Sequence, residues 1–542
     1  MILPRGTVGY SYLASTGQLD FITTPEGNRL SYAYDGILNT TQTWAGSITG
    51  SVVNSFNNDF VVESYQVNAE AAIAYQRDND GLLTAAGDLS LIRNPQHGLI
   101  DSTTLGSIRT SNAYNNFGEL ANSQANFNTQ TLYQLSLDEA TKERDKLGRI
   151  RFKTETLQGQ SSQSEYRYDL AGRLTSEIKN GLSTTFGYDS NGNRTHLNGQ
   201  IIAHYDSQDR LLDYAGTSYA YSANGELQSK TENGSTTNYH YDLLGNLLTV
   251  TQPNKIIDHI IDGQNRRIGK KVNGQLVQGF LYKDQLNPVA ELDGNNTVIS
   301  HFIYADKANV PAYLIKGGIT YRILSDQLGS PRLVVNSSTG EIAQRIDYDV
   351  WGNISQDSNP GFQPFGFAGG IYDNDTQLSR FGARDYDAWS GRWTNKDPIR
   401  FGGGDANLYG YVLGDPVNFI DPDGLELTPT QQVYVVTGTA MGAAIGTVIF
   451  RGSPVGSAAV AAIGAGLTTL FQDGHTSSDV LNNMATGAIS GLAGADIGAL
   501  MNLISHGGKY ASVQIGVRTG LITGALDGVS MNVDPLIKES CD

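Results

Sequence analysis

Along the first two thirds of the chain, polar and apolar residues alternate in short runs, as in Thr184-Thr185-Phe186-Gly187-Tyr188 and Ser235-Thr236-Thr237-Asn238-Tyr239-His240-Tyr241. A period of two sends one face of an extended segment to a core and the other to water, so these runs predict β-strands. Between them one phrase returns: an aromatic residue, Asp, two variable positions, Gly, then Arg or Asn. Tyr168-Asp169-Leu170-Ala171-Gly172-Arg173-Leu174 is the cleanest copy, followed by Tyr188-Asp189-Ser190-Asn191-Gly192-Asn193 and Tyr241-Asp242-Leu243-Leu244-Gly245-Asn246. Looser copies run from Tyr34-Asp35-Gly36 to Tyr348-Asp349-Val350-Trp351-Gly352-Asn353. Between Asp145 and Asp242 successive copies lie about 16 to 24 residues apart, the length of one hairpin. Asp hydrogen-bonds the backbone two residues on and Gly supplies the positive φ that closes the turn. A lone hairpin is marginal in water, so neighbours are expected to pair edge to edge into a long continuous sheet. Turn chemistry accounts for the whole phrase, and its residues read as scaffold.

Composition supports strands and turns. Gly supplies 63 of 542 residues, Tyr 28 against 17 Phe and 4 Trp, and charged residues only 17%. That charge content excludes a coiled coil and a highly charged disordered chain. A net charge of −17 repels phosphate backbones, so the repeat region is not expected to bind nucleic acid. The single cysteine, Cys541, excludes an intrachain disulfide and a thiolate zinc cluster; no metal and no cofactor are expected. The start, Met1-Ile2-Leu3-Pro4-Arg5-Gly6, carries no signal-peptide pattern, which points to export by a signal-independent route after synthesis in the cytoplasm, or to a fragment.

The recurrent Tyr-Asp-x-x-Gly-Arg-Leu phrase resembles the YD repeats of Rhs proteins, insecticidal toxin-complex B and C subunits, and teneurins. The resemblance spans roughly residues 1–425 and implies a mainly β fold, a spiralling sheet of hairpins that curls into a hollow shell around a cargo polypeptide. Against complete members the chain starts inside a repeat and is short for a sealed shell. A shell-completing partner or truncation is therefore expected, and the resemblance also implies secretion machinery and an immunity protein as partners.

From residue 360 the texture changes. Leu378-Ser379-Arg380-Phe381-Gly382-Ala383-Arg384-Asp385-Tyr386-Asp387 is followed by Ser390-Gly391-Arg392-Trp393-Thr394-Asn395-Lys396-Asp397-Pro398, then Asn407-Leu408-Tyr409 and Asp415-Pro416-Val417-Asn418-Phe419-Ile420-Asp421-Pro422-Asp423-Gly424-Leu425. This order resembles the Rhs repeat-associated core. The resemblance implies an aspartyl-type self-cleavage in which Asp397 and Asp421 cut the bond between Leu425 and Glu426. Two carboxylates brought close cannot both ionise, so one keeps a proton as acid while the other activates water. Asp385, Asp415 and Asp423 are nearby acids able to replace either member, and Lys396 and Arg392 are candidate charge partners. The competing reading is that Asp397, Asp415 and Asp421 only form Asp-Pro turns, which the dipeptide favours.

Beyond Leu425 the Tyr-Asp phrases stop and Gly and Ala dominate. Gly438, Gly442 and Gly446 recur every fourth residue, as do Gly516, Gly520 and Gly524. On a helix such a series lines one face and permits close helix–helix approach, as in membrane-associating helices; a compact soluble helical domain or a spacer is the alternative. The expected organisation is a YD-repeat shell over 1–359, a core with a cleavage site over 360–425, and an α-helical payload over 426–542 that is the shell's own cargo, with a target membrane as its prospective partner. The functional expectation is a toxin carrier that self-cleaves and releases this payload. The alternatives are a cell-surface recognition or adhesion module without release, and a truncated remnant of a larger protein.

Overall fold

In the computed structural model the described residues are 1–138, 144–426 and 428–429. The chain divides into a unit spanning Met1–Gly442 and a second spanning Ala443–Asp542, which lies outside the described residues together with the glycine series of the tail and its expected helices. Among the described residues no helix is long and apolar enough to cross a membrane.

The described residues of the first unit form almost entirely antiparallel β-sheet, with three short 3₁₀ turns among them. Strands from Gly9–Tyr12 to Gln200–Ile201 form one meander in which each pairs with the next, and a 16-stranded sheet follows from Ala203–Tyr205 to Ile354–Asp357. One repeat shows how the phrase builds it. The Asp169 amide donates to Arg173 O at 3.0 Å and the Gly172 amide to Asp169 O at 3.1 Å. Asp169 Oδ1 accepts the Arg173 amide at 2.9 Å, while Oδ2 accepts Arg173 Nε at 2.7 Å. Gly172 sits at φ +93°, a conformation other residues rarely adopt.

Tyr joins one repeat to the one before. The Tyr168 hydroxyl donates to Ile150 O at 2.7 Å, Tyr188 to Leu174 O at 2.6 Å and Tyr205 to Arg194 O at 2.9 Å. Each ring is half-buried while its hydroxyl satisfies a carbonyl of the preceding repeat, a use Phe cannot serve. The turn arginine completes the link: Arg149 lies 4.5 Å from the Tyr168 ring centroid and Arg173 4.8 Å from that of Tyr188. The surplus of Tyr over Phe follows from this geometry.

The two sheets share their cores. Leu30, Trp44, Ile48 and Tyr65 cluster with Ile268, Phe280, Leu281 and Leu292. Leu83 to Leu105 pack with Ile303 and Tyr313, and Leu132 to Phe186 with Leu333, Val335 and Trp351. The Tyr65 hydroxyl donates to Phe302 O at 3.0 Å across this interface.

Residues 360–425 pack into the same unit. Strands Ile371–Asp373, Leu378–Phe381, Arg384–Asp387 and Arg392–Trp393 form a four-stranded sheet. The last three are buried on both faces. An aromatic cluster of Phe367, Phe381, Tyr386, Trp393 and Tyr411 holds them, with Tyr386 and Tyr411 centroids 4.3 Å apart and Trp393 and Tyr411 5.4 Å apart. Burying each such ring contributes about 1.5–3 kcal/mol, so this sheet is a stiff platform for what it carries.

Candidate self-cleavage site

Strand Arg384–Asp387 projects Arg384 beneath two turns. The first turn is Asp397-Pro398-Ile399: Asp397 Oδ1 accepts the Ile399 amide at 2.8 Å and the Arg400 amide donates to Asp397 O at 2.9 Å. The second is Asp421-Pro422-Asp423-Gly424-Leu425: Asp421 Oδ1 accepts the Leu425 amide at 2.9 Å, with Gly424 at φ +67°. In both, Oδ1 builds the turn and leaves Oδ2 for something else. That partner is one atom. Arg384 Nη2 lies 2.9 Å from Asp397 Oδ2 and 3.0 Å from Asp421 Oδ2.

The turn reading and the paired-carboxylate arrangement thus coexist in the same residues. The three side chains are buried, with 4%, 7% and 5% of their surface exposed for Arg384, Asp397 and Asp421. Arg384 Nε also donates to Gly424 O at 2.6 Å, and its guanidinium lies 4.2 Å from the Trp393 ring centroid. It is held from several sides and has little freedom to leave.

The Leu425 carbonyl reaches the same place. A Cβ added to Gly403 would stand 2.6 Å from Leu425 O and 2.7 Å from Asp397 Oδ2, so both oxygens flank that glycine. A cavity of about 20 Å³ lies here, lined among others by Arg384, Asp397, Gly403, Asp405, Asp421 and Leu425. That volume admits one water. Asp423 Oδ1 accepts the Leu425 amide at 3.1 Å and the Glu426 amide at 3.3 Å. Both sides of the Leu425–Glu426 bond are therefore held by carboxylate chemistry.

Charge is out of balance. Burial pushes the Asp421 carboxyl well above its usual range; Arg384 opposes this, and the adjacent Asp423, with which Asp421 shares a side-chain hydrogen bond, adds to it. Burial also raises Asp405 on the cavity wall. One buried guanidinium faces several carboxylates here, and the balance at Asp421 favours the protonated form.

Lys396 and Arg392 lie elsewhere, which corrects their expected role as charge partners. Lys396 Nζ reaches Gln208 Oε1 at 3.4 Å, and Arg392 stacks between Tyr205 and Tyr409, 4.8 and 5.0 Å from their centroids. Arg392 lies on the last strand of the core sheet, and Lys396 follows it outside any strand. Asp385 is also apart from the pair: Arg267 binds it through both oxygens at 2.8 and 2.9 Å and Arg380 at 3.0 Å. Burial opposes its charge, yet the two guanidiniums hold it below the usual range. Asp415 pairs with Asn418 and accepts the Val417 amide at 3.2 Å; burial pushes it up to about 6. Sequence reasoning assigned no role to Arg384, Gly403 or Asp405. The run Gly402-Gly403-Gly404 was the one available signal, since consecutive glycines mark close backbone approach. Among the described residues no cluster of three or more His, Cys, Asp or Glu is arranged to hold a metal ion.

Comparison with known proteins places this architecture. Teneurin-1 of Gallus gallus is 32% identical over 244 residues, covering 42% of this chain and 9% of the relative. Teneurin-3 of Mus musculus is 32% identical over 278 residues, 47% of this chain and 10% of the relative. The tRNA3(Ser)-specific nuclease WapA of Bacillus spizizenii is 28% identical over 271 residues, 48% and 11% respectively. The chain thus spans about a tenth of the length of these relatives. Among solved structures, TcdB2-TccC3-TEV superposes with a TM-score of 0.54 at 15% identity, over 78% of this chain and 25% of that one. The Photorhabdus luminescens Tc holotoxin pore gives 0.52 at 15% identity with the same coverage. These likenesses show a shell-like fold of large antiparallel sheets. A family model described as the teneurin YD-shell matches residues 1–407, and the chain belongs to that family.

Proposed function

We propose that this chain is a toxin carrier whose YD shell holds the residues beyond Leu425 as cargo and cuts the chain between Leu425 and Glu426. Asp397 acts as general base on a water in the adjoining cavity, and Asp421 keeps the proton that its burial favours. Arg384 positions both carboxylates and neutralises part of their charge. The observation that carries this reading is the single guanidinium nitrogen within 3.0 Å of both carboxylates, beside a cavity that Leu425 also lines. Preorganised charges in a dry site act strongly because no solvent must reorient during the reaction. Synthesis in the cytoplasm, delivery by secretion machinery, an immunity protein and a payload that acts on a target membrane belong to the same proposal.

The test is a denaturing gel and intact mass of the full chain. The expected result is two fragments of 425 and 117 residues that co-elute under native conditions. One intact band, unchanged in Asp397→Asn, overturns the proposal. The membrane part fails separately if cells expressing the chain are poisoned without depolarisation. An uncut chain favours the second reading, a surface-recognition module, which the identity to teneurins supports; binding of the intact chain to cell surfaces is its measurement.

A further inference from the structure

We infer that Asp423 is the residue that protonates the leaving nitrogen of Glu426, a third carboxylate with a role distinct from those of Asp397 and Asp421. The inference rests on the self-cleavage reading above. Hydrolysis of an amide requires more than attack on the carbonyl. The nitrogen must gain a proton before or as the C–N bond breaks, because an amide anion is a very poor leaving group. A donor for that step must lie within hydrogen-bond reach of the nitrogen.

Asp423 Oδ1 accepts the Glu426 amide at 3.3 Å, which places its carboxyl within reach of the leaving nitrogen. The same oxygen holds the Leu425 amide at 3.1 Å, which fixes the carboxyl against the backbone on both sides of the bond. The Gly382 and Gly424 approaches lock the turn from behind. A Cβ on Gly382 would meet Asp423 O at 2.3 Å, and the Ala383 amide donates to that carbonyl at 2.8 Å. Asp423 is therefore held at its backbone as well as at its carboxyl.

A proton source stands next to it. Asp421 and Asp423 share a side-chain hydrogen bond, and Asp421 is the member whose burial favours the neutral form. Asp397 meets the same Arg384 nitrogen as Asp421, and its Oδ2 flanks Gly403 together with Leu425 O, on the carbonyl side of the bond where the base is needed. Asp423 stands on the nitrogen side.

The step balances with groups on the page and one water. The water oxygen bonds to the Leu425 carbonyl carbon while one of its protons passes to Asp397. The C–N bond then breaks with its electron pair on the Glu426 nitrogen. Asp421 passes its proton across their shared hydrogen bond to Asp423, which delivers it to that nitrogen. The products are a Leu425 carboxyl group and a Glu426 amine; Asp397 has gained a proton and the Asp421–Asp423 pair has lost one. Each chain cuts once, so no resetting of these protonation states is needed.

The test is a time course of self-cleavage of the full chain made by pulse-labelled cell-free synthesis, for wild type, Asp423→Asn, Asp423→Ala and Asp397→Asn between pH 5 and 8. Asparagine keeps an Oδ1 acceptor for the two amides and so preserves the turn, but it cannot release a proton. The expected result is a loss of about 100-fold or more in both Asp423 variants, the scale of a missing general acid. The wild-type rate is expected to fall as pH rises and Asp421 loses its proton, and this fall is expected to be absent from the residual cutting of the Asp423 variants. If Asp423→Asn cuts like wild type while Asp423→Ala is slow, the residue only positions the turn and the inference is overturned. Wild-type cutting in both variants overturns it as well. Efficient cutting by Asp397→Asn instead overturns the underlying self-cleavage reading, a failure separate from that of Asp423. Resistance of the repeat region to added protease checks that each variant folds.

Discussion

The repeat turn Asp169–Arg173 and the core turn Asp421–Leu425 share one turn design and differ in two respects. Each begins with Asp, places Gly at the fourth position with positive φ, and has Asp Oδ1 accept the amide of the fifth residue at 2.9 Å. In the repeat turn the fifth residue is Arg173, whose Nε closes on Asp169 Oδ2 at 2.7 Å. In the core the fifth residue is Leu425, and the guanidinium comes from Arg384 on a separate strand, already shared with Asp397. The second difference is depth: the Asp169 side chain is 24% exposed and that of Asp421 5%. Burial opposes the charge at Asp145, Asp206 and Asp421. At Asp145 and Asp206 the amide bonds and the local arginine outweigh it and the carboxyl falls below its usual range, whereas at Asp421 burial wins and it rises. A structural turn becomes chemically poised when its own arginine is removed and it is buried beside a second carboxylate.

The sharpest way to break that comparison is to neutralise one carboxylate in each region. Asp397→Asn or Asp421→Asn is expected to leave a single uncut band, a loss of about 1,000-fold or more for a site acting as a unit. Asp169→Asn is expected to cut like wild type. If Asp169→Asn also blocks cutting, the two regions are not functionally distinct.

Removing the arginine separates them next. Arg384→Gln leaves Asp397 and Asp421 buried without their cation, a change that costs about 3–5 kcal/mol in buried sites. Both a lower Tm and a slowing of cleavage of about 100-fold are expected, measured by calorimetry and by the gel. Arg173→Gln, in a partly exposed turn, is expected to cost about 1 kcal/mol or less. A third change tests close approach: Gly403→Ala puts a methyl group 2.6 Å from Leu425 O and 2.7 Å from Asp397 Oδ2, and overpacking of this kind costs about 1–3 kcal/mol. Slower cleavage with near-normal stability is the expected signature.

How much of this was legible in the sequence follows from the same contrast. The repeat turns were readable because every group they use lies within five residues: Asp169, Gly172 and Arg173 form a complete local circuit. The core turn was readable only as a turn. Its guanidinium arrives from 37 residues upstream, a distance that no local pattern encodes. Lys396 and Arg392 neighbour Asp397 in sequence, but proximity along an extended chain does not put side chains together. Charge surplus at the site was likewise invisible, since burial of Asp405 and Asp421 is a tertiary property. The Tyr-to-carbonyl links between repeats lie in between: the surplus of Tyr over Phe was countable, while the acceptors, such as Ile150 and Leu174, required the register.

The sign of the electrostatics in the two regions is read through pH. Asp415, in the core, is raised by burial to about 6. Its favourable contribution is complete below the unfolded value near 4 and is lost as pH rises toward 6, a change of about 3 kcal/mol. Asp415→Asn is therefore expected to gain in Tm relative to wild type as pH goes from 4 to 7. Asp206, in a repeat turn, has the opposite slope. Its folded value lies below the usual range, so its contribution is present at neutral pH and is lost as pH falls below about 4. Asp206→Asn is expected to lower Tm at pH 7 by the equivalent of about 0.2–1 kcal/mol, the scale of an exposed pair with Arg210, and to converge on wild type near pH 2. Asparagine preserves the amide acceptors in both turns, so the difference read is that of charge. Slopes of the same sign at Asp415 and Asp206 would mean that depth does not distinguish core turns from repeat turns, and the contrast from which the site is argued would fail.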